Sequence, residues 1–278
     1  LRSLARQTYP RDFFEILVID SGSAVASDFF IEFKSVYNLN LKFIPNPSNI
    51  GPAKGRNIGI RESKFDFVAF TDDDSTVPPD WLSKIDDAYE RHPEACAVGG
   101  LTLPCDISRN NIFANFEERL YRRYLKNGSM EEYVSMKRDE HPVFSGNISY
   151  KKETLLKVGS FDESFPSFIS GEDGDLKERV LALGGKFVFT PVVVSHHCSY
   201  TPRRFFFQQL SRGASILKFR KRHGMENYRI LILGRLVVSL SALPYILLTN
   251  FFDLRYALVL WMSLIIRNIG KLYYYEKA

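Results

Sequence analysis

Apolar residues gather in short runs that end abruptly in polar or turn-forming ones. Glu15–Ile19, Leu41–Ile44, Phe67–Phe70 and Lys186–Phe189 are such runs, and polar-apolar stretches of helical period separate several of them. Strands alternating with helices are the expected result, and they predict an α/β domain with a mostly parallel sheet. In such a sheet the carboxyl ends of the strands open onto the crevice where ligands bind. Three of the runs lead straight into polar tips: Asp20-Ser21-Gly22-Ser23, Pro45-Asn46-Pro47 and Thr71-Asp72-Asp73-Asp74. One helix is predicted from about Pro78-Pro79-Asp80-Trp81. Another is predicted after Gly171, with Glu172 and Asp173 at its cap and first turn and Leu176, Val180 and Leu183 continuing at helical spacing.

From about Tyr228 the pattern changes. Leu236–Phe252 carries no charge and neither does Tyr256–Ile266, with Asp253 and Arg255 between them. This divides the chain into a domain over 1–227 and a carboxy-terminal helical, membrane-associated segment over 228–278. The first apolar run approaches spanning length if Arg235 snorkels, whereas the second is short for a full span. A hairpin or re-entrant pair is expected, and a buried helical pair is the alternative. Lys218, Arg220, Lys221 and Arg222 precede the segment and Arg267, Lys271 and Lys277 follow it. By the positive-inside tendency both ends, and the preceding domain, are expected on the cytoplasmic side.

Composition narrows the field. The 278 residues are 45% apolar and 25% charged, as in a folded protein of one large domain or one domain with an appendage. Thirty-seven basic against 32 acidic residues leave a net charge of +5, too little to argue for a nucleic-acid partner. Cys96, Cys105 and Cys198 show neither a paired spacing nor an even count, which suggests a reducing compartment rather than a disulfide framework. The chain begins at Leu1 without a signal-like segment, and a missing amino-terminal segment is expected.

Asp72, Asp73 and Asp74 stand together after a strand-like run, where their mutual repulsion needs a compensating cation or donors. Mg²⁺ held by one or two carboxylates together with substrate phosphates is one reading. A solvated acidic turn before the helix at Trp81 is the other. Further motifs stand in order along the chain: Glu15–Ser23, Gly51-Pro52-Ala53-Lys54-Gly55-Arg56-Asn57-Ile58-Gly59, Gly146-Asn147-Ile148-Ser149 with Gly159–Glu163, and Gly171-Glu172-Asp173-Gly174-Asp175-Leu176. With these, the chain resembles the family 2 glycosyltransferases, which have the GT-A fold, from about Leu4 to Arg212.

That resemblance implies a nucleotide-diphosphate sugar as donor, Mg²⁺ or Mn²⁺ as cofactor, and a glycan or lipid-linked acceptor near a membrane surface. Asp20 and Ser23 would belong to the nucleotide-contacting loop, with Ser21 where an Asp is usual. Arg56 and Asn57 would belong to the Ala-Arg-Asn motif, with Gly55 in place of Ala. Asp72 would face the ribose and Asp74 would ligate the metal as the two ends of a DxD motif, with His196 completing the metal site and His197 competing for that role. Gly146 and Asn147 fall in the acceptor-side region. Asp173, or alternatively Glu172, would be the general base. Gln209-Leu210-Ser211-Arg212 resembles the QxxR part of the QxxRW motif, with Gly213 at the tryptophan position. Arg212, with Arg203 and Arg204, would neutralise the leaving diphosphate, against the alternative of a solvated or membrane-facing basic patch. One base without a second nucleophile implies inversion at the anomeric carbon. Two rivals stay open: a nucleotidyltransferase on a related scaffold, and a catalytically silent membrane-bound binding module.

Overall fold

The computed structural model describes all residues except 24–26, 106–109, 138–144, 166–170, 223–227, 251–252 and 278. The chain divides into two compact units. One is built from Leu1–Leu103, Tyr121–Ser167 and Glu172–His196, the other from Pro104–Leu120 and His197–Ala278 together with Gly171.

In the first unit, a short helix α1 (Arg2–Ala5) precedes strand β1 (Ile16–Ile19), α2 (Ser27–Tyr37), β2 (Leu41–Ile44), α3 (Pro52–Glu62) and β3 (Phe67–Phe70). The predicted bounds of the second and third strands are those observed. Then come β4 (Ser75–Thr76), α4 (Trp81–Arg91) and β5 (Ala95–Pro104), and after an excursion β6 (Tyr133–Ser135), β7 (Ile148–Lys151), α6 (Lys152–Lys157), α7 (Glu172–Ala182) and β8 (Lys186–His196). Helix α5 (Ile112–Arg122) begins within the excursion.

β1 and β2 pair in parallel, Ile16 opposite Leu41. The larger sheet runs β3-β7-β5-β8-β4, with β6 also on β8, and here the expectation of parallel strands fails. The described ladders β3/β7, β5/β7, β4/β8 and β6/β8 are all antiparallel. The alternation of strands with helices continues past β3, but the strands that follow do not become neighbours in chain order. The long excursion after β5 brings the chain back reversed as β7, between β5 and β3.

Alternate side chains of the central strands feed two cores. Ala97 and Phe187 face a cluster with Ile60, Phe70, Ile148, Leu155, Leu176 and Val180, which packs α3, α6 and α7 on one face. Val98 and Val188 face Trp81, Ile85, Ala88 and Tyr89 of α4 on the other. The alternation follows from the two-residue period of a strand. Gly100 lets β5 and β8 approach: a Cβ there would stand 2.0 Å from the carbonyl oxygen of Val192.

The second unit is helical. Besides the expected segment from residue 228, it takes in most of α5 and the long α8 (Pro202–Arg222), followed by α9 (Tyr228–Ser241), α10 (Leu243–Thr249) and α11 (Leu254–Lys277). α8 and α11 cross backbone to backbone. A Cβ on Gly213 would fall 2.0 Å from the Arg267 carbonyl oxygen, and one on Gly270 would fall 2.1 Å from that of Leu210. Phe116, Phe205, Tyr256, Val259 and Ile266 form the apolar core.

The carboxy-terminal segment is less uniformly apolar than expected. α9 and α11 share a polar seam in which Asn268 Nδ2 donates to Ser239 Oγ at 2.8 Å, Trp261 Nε1 to the Ser239 carbonyl at 2.9 Å, and Lys271 Nζ to Asn268 Oδ1 at 2.8 Å. Val237, Val238, Leu240, Tyr245 and Leu248 are exposed. No single described helix is long and apolar enough to cross a membrane, but α9 and α10 together are, over Ile232–Ser241 and Leu243–Thr249, bent by 55°. The bend follows from Pro244 at the start of α10, whose ring and missing N–H prevent the helix from continuing.

Candidate active site

The tip of β1 and the loop after β2 form one wall. Gly22 has φ of +76°, and a Cβ there would meet the Ser48–Asn49 backbone at 2.7 Å, so the turn needs glycine. Ser21, where the family pattern has an acid, joins the two loops: its Oγ accepts the Ile50 N–H at 3.0 Å and donates to Asn49 Oδ1 at 3.2 Å. Asp20 accepts the Ser23 N–H at 3.1 Å, and hydrogen bonding from Ser23 holds its carboxyl below the usual range. The Asp20 carboxylate and Ser23 remain at the surface. Gly55 stands in place of Ala although an alanine would fit, since a Cβ there would make ordinary contact with Ile19 at 3.9 Å.

β4 sets the floor. Its two residues pair with the end of β8, Ser75 opposite His196, and this register carries the imidazole to the acidic triplet. His196 Nε2 lies 3.2 Å from Asp74 Oδ2, whereas His197 is exposed. Asp72 feels both Asp74 and Asp173: loss of solvation pushes its carboxyl above the usual range, with Asp74 and Asp173 adding to the rise and Arg56 and His196 opposing it. Asp74 and Asp173, distant in sequence, thus both lie within electrostatic reach of Asp72.

Among the described residues no three His, Cys, Asp or Glu side chains form a ready-made metal cage. Asp74 and His196 supply two donors, an oxygen and a nitrogen. The hydroxyls of Thr71 and Ser75, flanking the triplet, are buried without a hydrogen-bond partner among the described residues. Such a partial, mixed set fits a divalent cation that keeps positions open for water and phosphate oxygens.

Two consecutive residues, Ser145 and Gly146, border the carboxylates, and a third, Asn147, ties the segment to the core. Ser145 Oγ stands 3.4 Å from Asp173 Oδ2. A Cβ on Gly146 would lie 2.8 Å from Asp72 Oδ2, so any side chain there would push the carboxylate aside. Asn147 is fully buried: its Nδ2 donates to the carbonyls of Leu101 and Val192 at 3.1 Å each, and its Oδ1 accepts from Trp81 Nε1 at 2.8 Å. Read from sequence as a substrate-side residue, Asn147 instead has both amide protons and its oxygen engaged within the core. Ser145 was not singled out by the sequence; its signal was only its place beside Gly146.

Asn57 differs from expectation in the same way. It is buried, accepts the Phe161 N–H at 2.9 Å, and donates at 2.9 Å to the Phe161 carbonyl and to Glu163 Oε1, fastening α3 to the segment after α6. Its neighbour Arg56 reaches into the cleft. At the start of α7, Glu172 is nearly buried and accepts from Arg56 Nη1 at 2.6 Å. Loss of solvation, then Asp173, raises its carboxyl above the usual range while Arg56 opposes the rise. Asp173 is partly exposed and accepts the Gly174 N–H at 2.8 Å.

The expected arginines lie on α8, in the second unit. Arg203 and Arg204 are exposed. Arg212 is not a free cation: both its terminal nitrogens meet the carboxylate of the buried Glu117, at 2.7 and 2.6 Å, and Gln209 adds a bond of 3.2 Å to the same group. Gly213 stands at the motif's tryptophan position because the Arg267 backbone leaves no room there for any side chain.

The family model for glycosyl transferase family 2 matches residues 1–157. The chain belongs to that family. It is 32% identical over 130 residues to a glucosyl-dolichyl phosphate glucuronosyltransferase of Haloferax volcanii, covering 47% of the chain and 39% of that protein. With the glycosyltransferase AglE of the same organism it shares 25% identity over 295 residues, covering 99% of the chain and 90% of that protein. The match to a pre-mycofactocin glycosyltransferase of Mycobacterium tuberculosis covers 45% of that protein, so the chain aligns with less than half the length of several curated relatives. Among solved structures, the mannosyltransferase PcManGT of Pyrobaculum calidifontis, in complex with GDP-Man and Mn²⁺, superposes with a TM-score of 0.62 at 17% identity, over 98% of this chain and 81% of that one. The likeness shows the fold, the GT-A fold that the sequence motifs implied.

Proposed function

We propose that the protein is an inverting glycosyltransferase that uses a divalent cation to move a sugar from a nucleotide-diphosphate donor to a hydroxyl of a glycan or lipid-linked acceptor at a membrane. The observation that carries the reading is the convergence on Asp72 of Asp74, His196 and Asp173, contributed by the tips of β3 and β8 and the start of α7. Asp74 and His196 would hold the cation, with Mg²⁺ and Mn²⁺ both suited to the donors; bound there, it would neutralise charge on the departing diphosphate. Asp20 and Ser23 would line the nucleotide and Asp72 would face its ribose. Asp173 would accept the proton of the acceptor hydroxyl as its oxygen bonds to the anomeric carbon and the bond to the nucleoside diphosphate breaks. A single displacement with one base inverts the centre.

The relatives support both ends of this reaction. Solved relatives are bound to GDP-Man with Mn²⁺ and to UDP-GlcNAc, and one curated relative is named for a dolichyl phosphate substrate. Membrane attachment is supported by the inverted character of α9–α11, polar at the seam and apolar outward. Such exposed apolar surface is what a lipid-facing region has. The flanking basic residues favour the cytoplasmic face.

The test is turnover of a panel of UDP- and GDP-sugars by the full-length protein, with and without Mn²⁺, alongside Asp74→Ala and Asp173→Asn. Cation-dependent transfer abolished by either substitution is expected. Transfer that needs no cation and survives both substitutions refutes the mechanism, and release of pyrophosphate from a nucleoside triphosphate would favour nucleotidyl transfer instead.

A further inference from the structure

Arg56 stands between two carboxylates and serves them unequally. Its Nη1 lies 2.6 Å from Glu172 Oε1, while its Nη2 is 3.8 Å from Asp72 Oδ1. The first is a charge-assisted hydrogen bond and the second is beyond hydrogen-bond reach. The guanidinium also sits 5.4 Å from the centre of the Phe161 ring. That ring is fixed from the same helix, because Asn57 bonds both the N–H and the carbonyl of Phe161. Asp72, by contrast, keeps 42% of its side chain open to solvent. An arginine is a planar fork that favours paired contact with a carboxylate. Released from Glu172, its nearest anionic partner would be Asp72.

We infer that Glu172 is a positioning residue: by gripping Arg56 it holds the guanidinium short of Asp72 and leaves that carboxylate available to the donor nucleotide. The two adjacent acids at the start of α7 then have separate tasks. Glu172, nearly buried and bonded to Arg56, governs the donor side; Asp173, partly exposed, faces the acceptor's proton. The inference rests on the proposed donor-side role of Asp72.

A double-mutant cycle tests it. Glu172→Gln, Arg56→Met and the pair are made in the full-length protein, and the Kd for UDP and for GDP with Mn²⁺ is measured by calorimetry beside donor KM, kcat and thermal melting. Glu172→Gln is expected to weaken nucleotide binding and raise donor KM about tenfold, a larger change than in kcat. In the Arg56→Met background the same substitution should change either quantity by no more than about twofold. Because Arg56→Met alone strands a buried carboxylate, Glu172→Asp provides a second route: one methylene shorter, it keeps the charge but withdraws from Nη1, and the same weakening of nucleotide binding is expected. An effect of Glu172→Gln that is equal in both backgrounds, or that falls on kcat with nucleotide affinity unchanged, overturns the inference. Asp173→Asn separates this from the underlying mechanism, since full turnover in that variant sinks the proposed chemistry whatever the cycle shows.

Discussion

The two units each bury a glutamate against an arginine, Glu172 with Arg56 and Glu117 with Arg212, yet differ in what surrounds the pair. The first hides apolar side chains on both faces of a sheet and brings its carboxylates to the strand tips, where Asp72 and Asp74 remain partly open. The second places charge inside: Glu117 is 1% exposed and held by Arg212, while Val238 and Leu248 face outward at 65% and 75%. A carboxylate at a tip is available to a ligand, whereas Glu117, sealed against Arg212, fixes helices. The same pair of residue types therefore borders the candidate site in one unit and holds helices together in the other.

Substitutions break this contrast to graded extents. Asp173→Asn should lower turnover by roughly 10²–10⁴-fold with little change in melting, as initial rates and calorimetry would show. Glu117→Ala should do the reverse, leaving Arg212 with an uncompensated charge and costing about 3 kcal/mol of stability in chemical denaturation. Asn147→Leu is expected to cost about 2 kcal/mol, because the Trp81 N–H and two strand carbonyls lose their partner; an unchanged denaturation midpoint would argue that the amide is not the clasp between β5 and β8. Gly146→Ala should reduce activity roughly tenfold by displacing the Asp72 carboxylate while barely moving the melting curve. The smallest stability change, within about 0.5 kcal/mol, is expected for Val238→Glu. Its effect should appear instead as weakened flotation with anionic vesicles, and undiminished flotation would count against a lipid-facing α9.

Much of the first unit is legible in the sequence because its early strands are continuous apolar runs that stop at polar tips. β5 is not, since Gly99 and Gly100 interrupt the run; only the structure shows that the nearness of Val192 demands the second of them. β8 reads as two pieces around Pro191. In the fold it is one strand, and Pro191 falls between the stretch paired with β6 and the stretch paired with β4. In the site, Asp72, Asp74, His196 and Asp173 were legible as residue types at strand and helix ends. Asn57 and Asn147 were misread because a motif records which residue is present and not whether its amide is already engaged. Glu172 and Arg56 were both visible, but their pairing spans 116 positions, and no local pattern reports it.

The two-residue ladder between Ser75-Thr76 and Ser195-His196 has a consequence for how the chain tolerates change. Side chains alternate across a strand, so deleting or inserting one residue between Val192 and Ser195 would rotate the imidazole to the opposite surface of the sheet and offer its neighbour in its stead. Replacing the side chains of that stretch with others of similar bulk leaves this phase untouched. Chain length there, more than chemical identity, keeps the histidine opposite the aspartate.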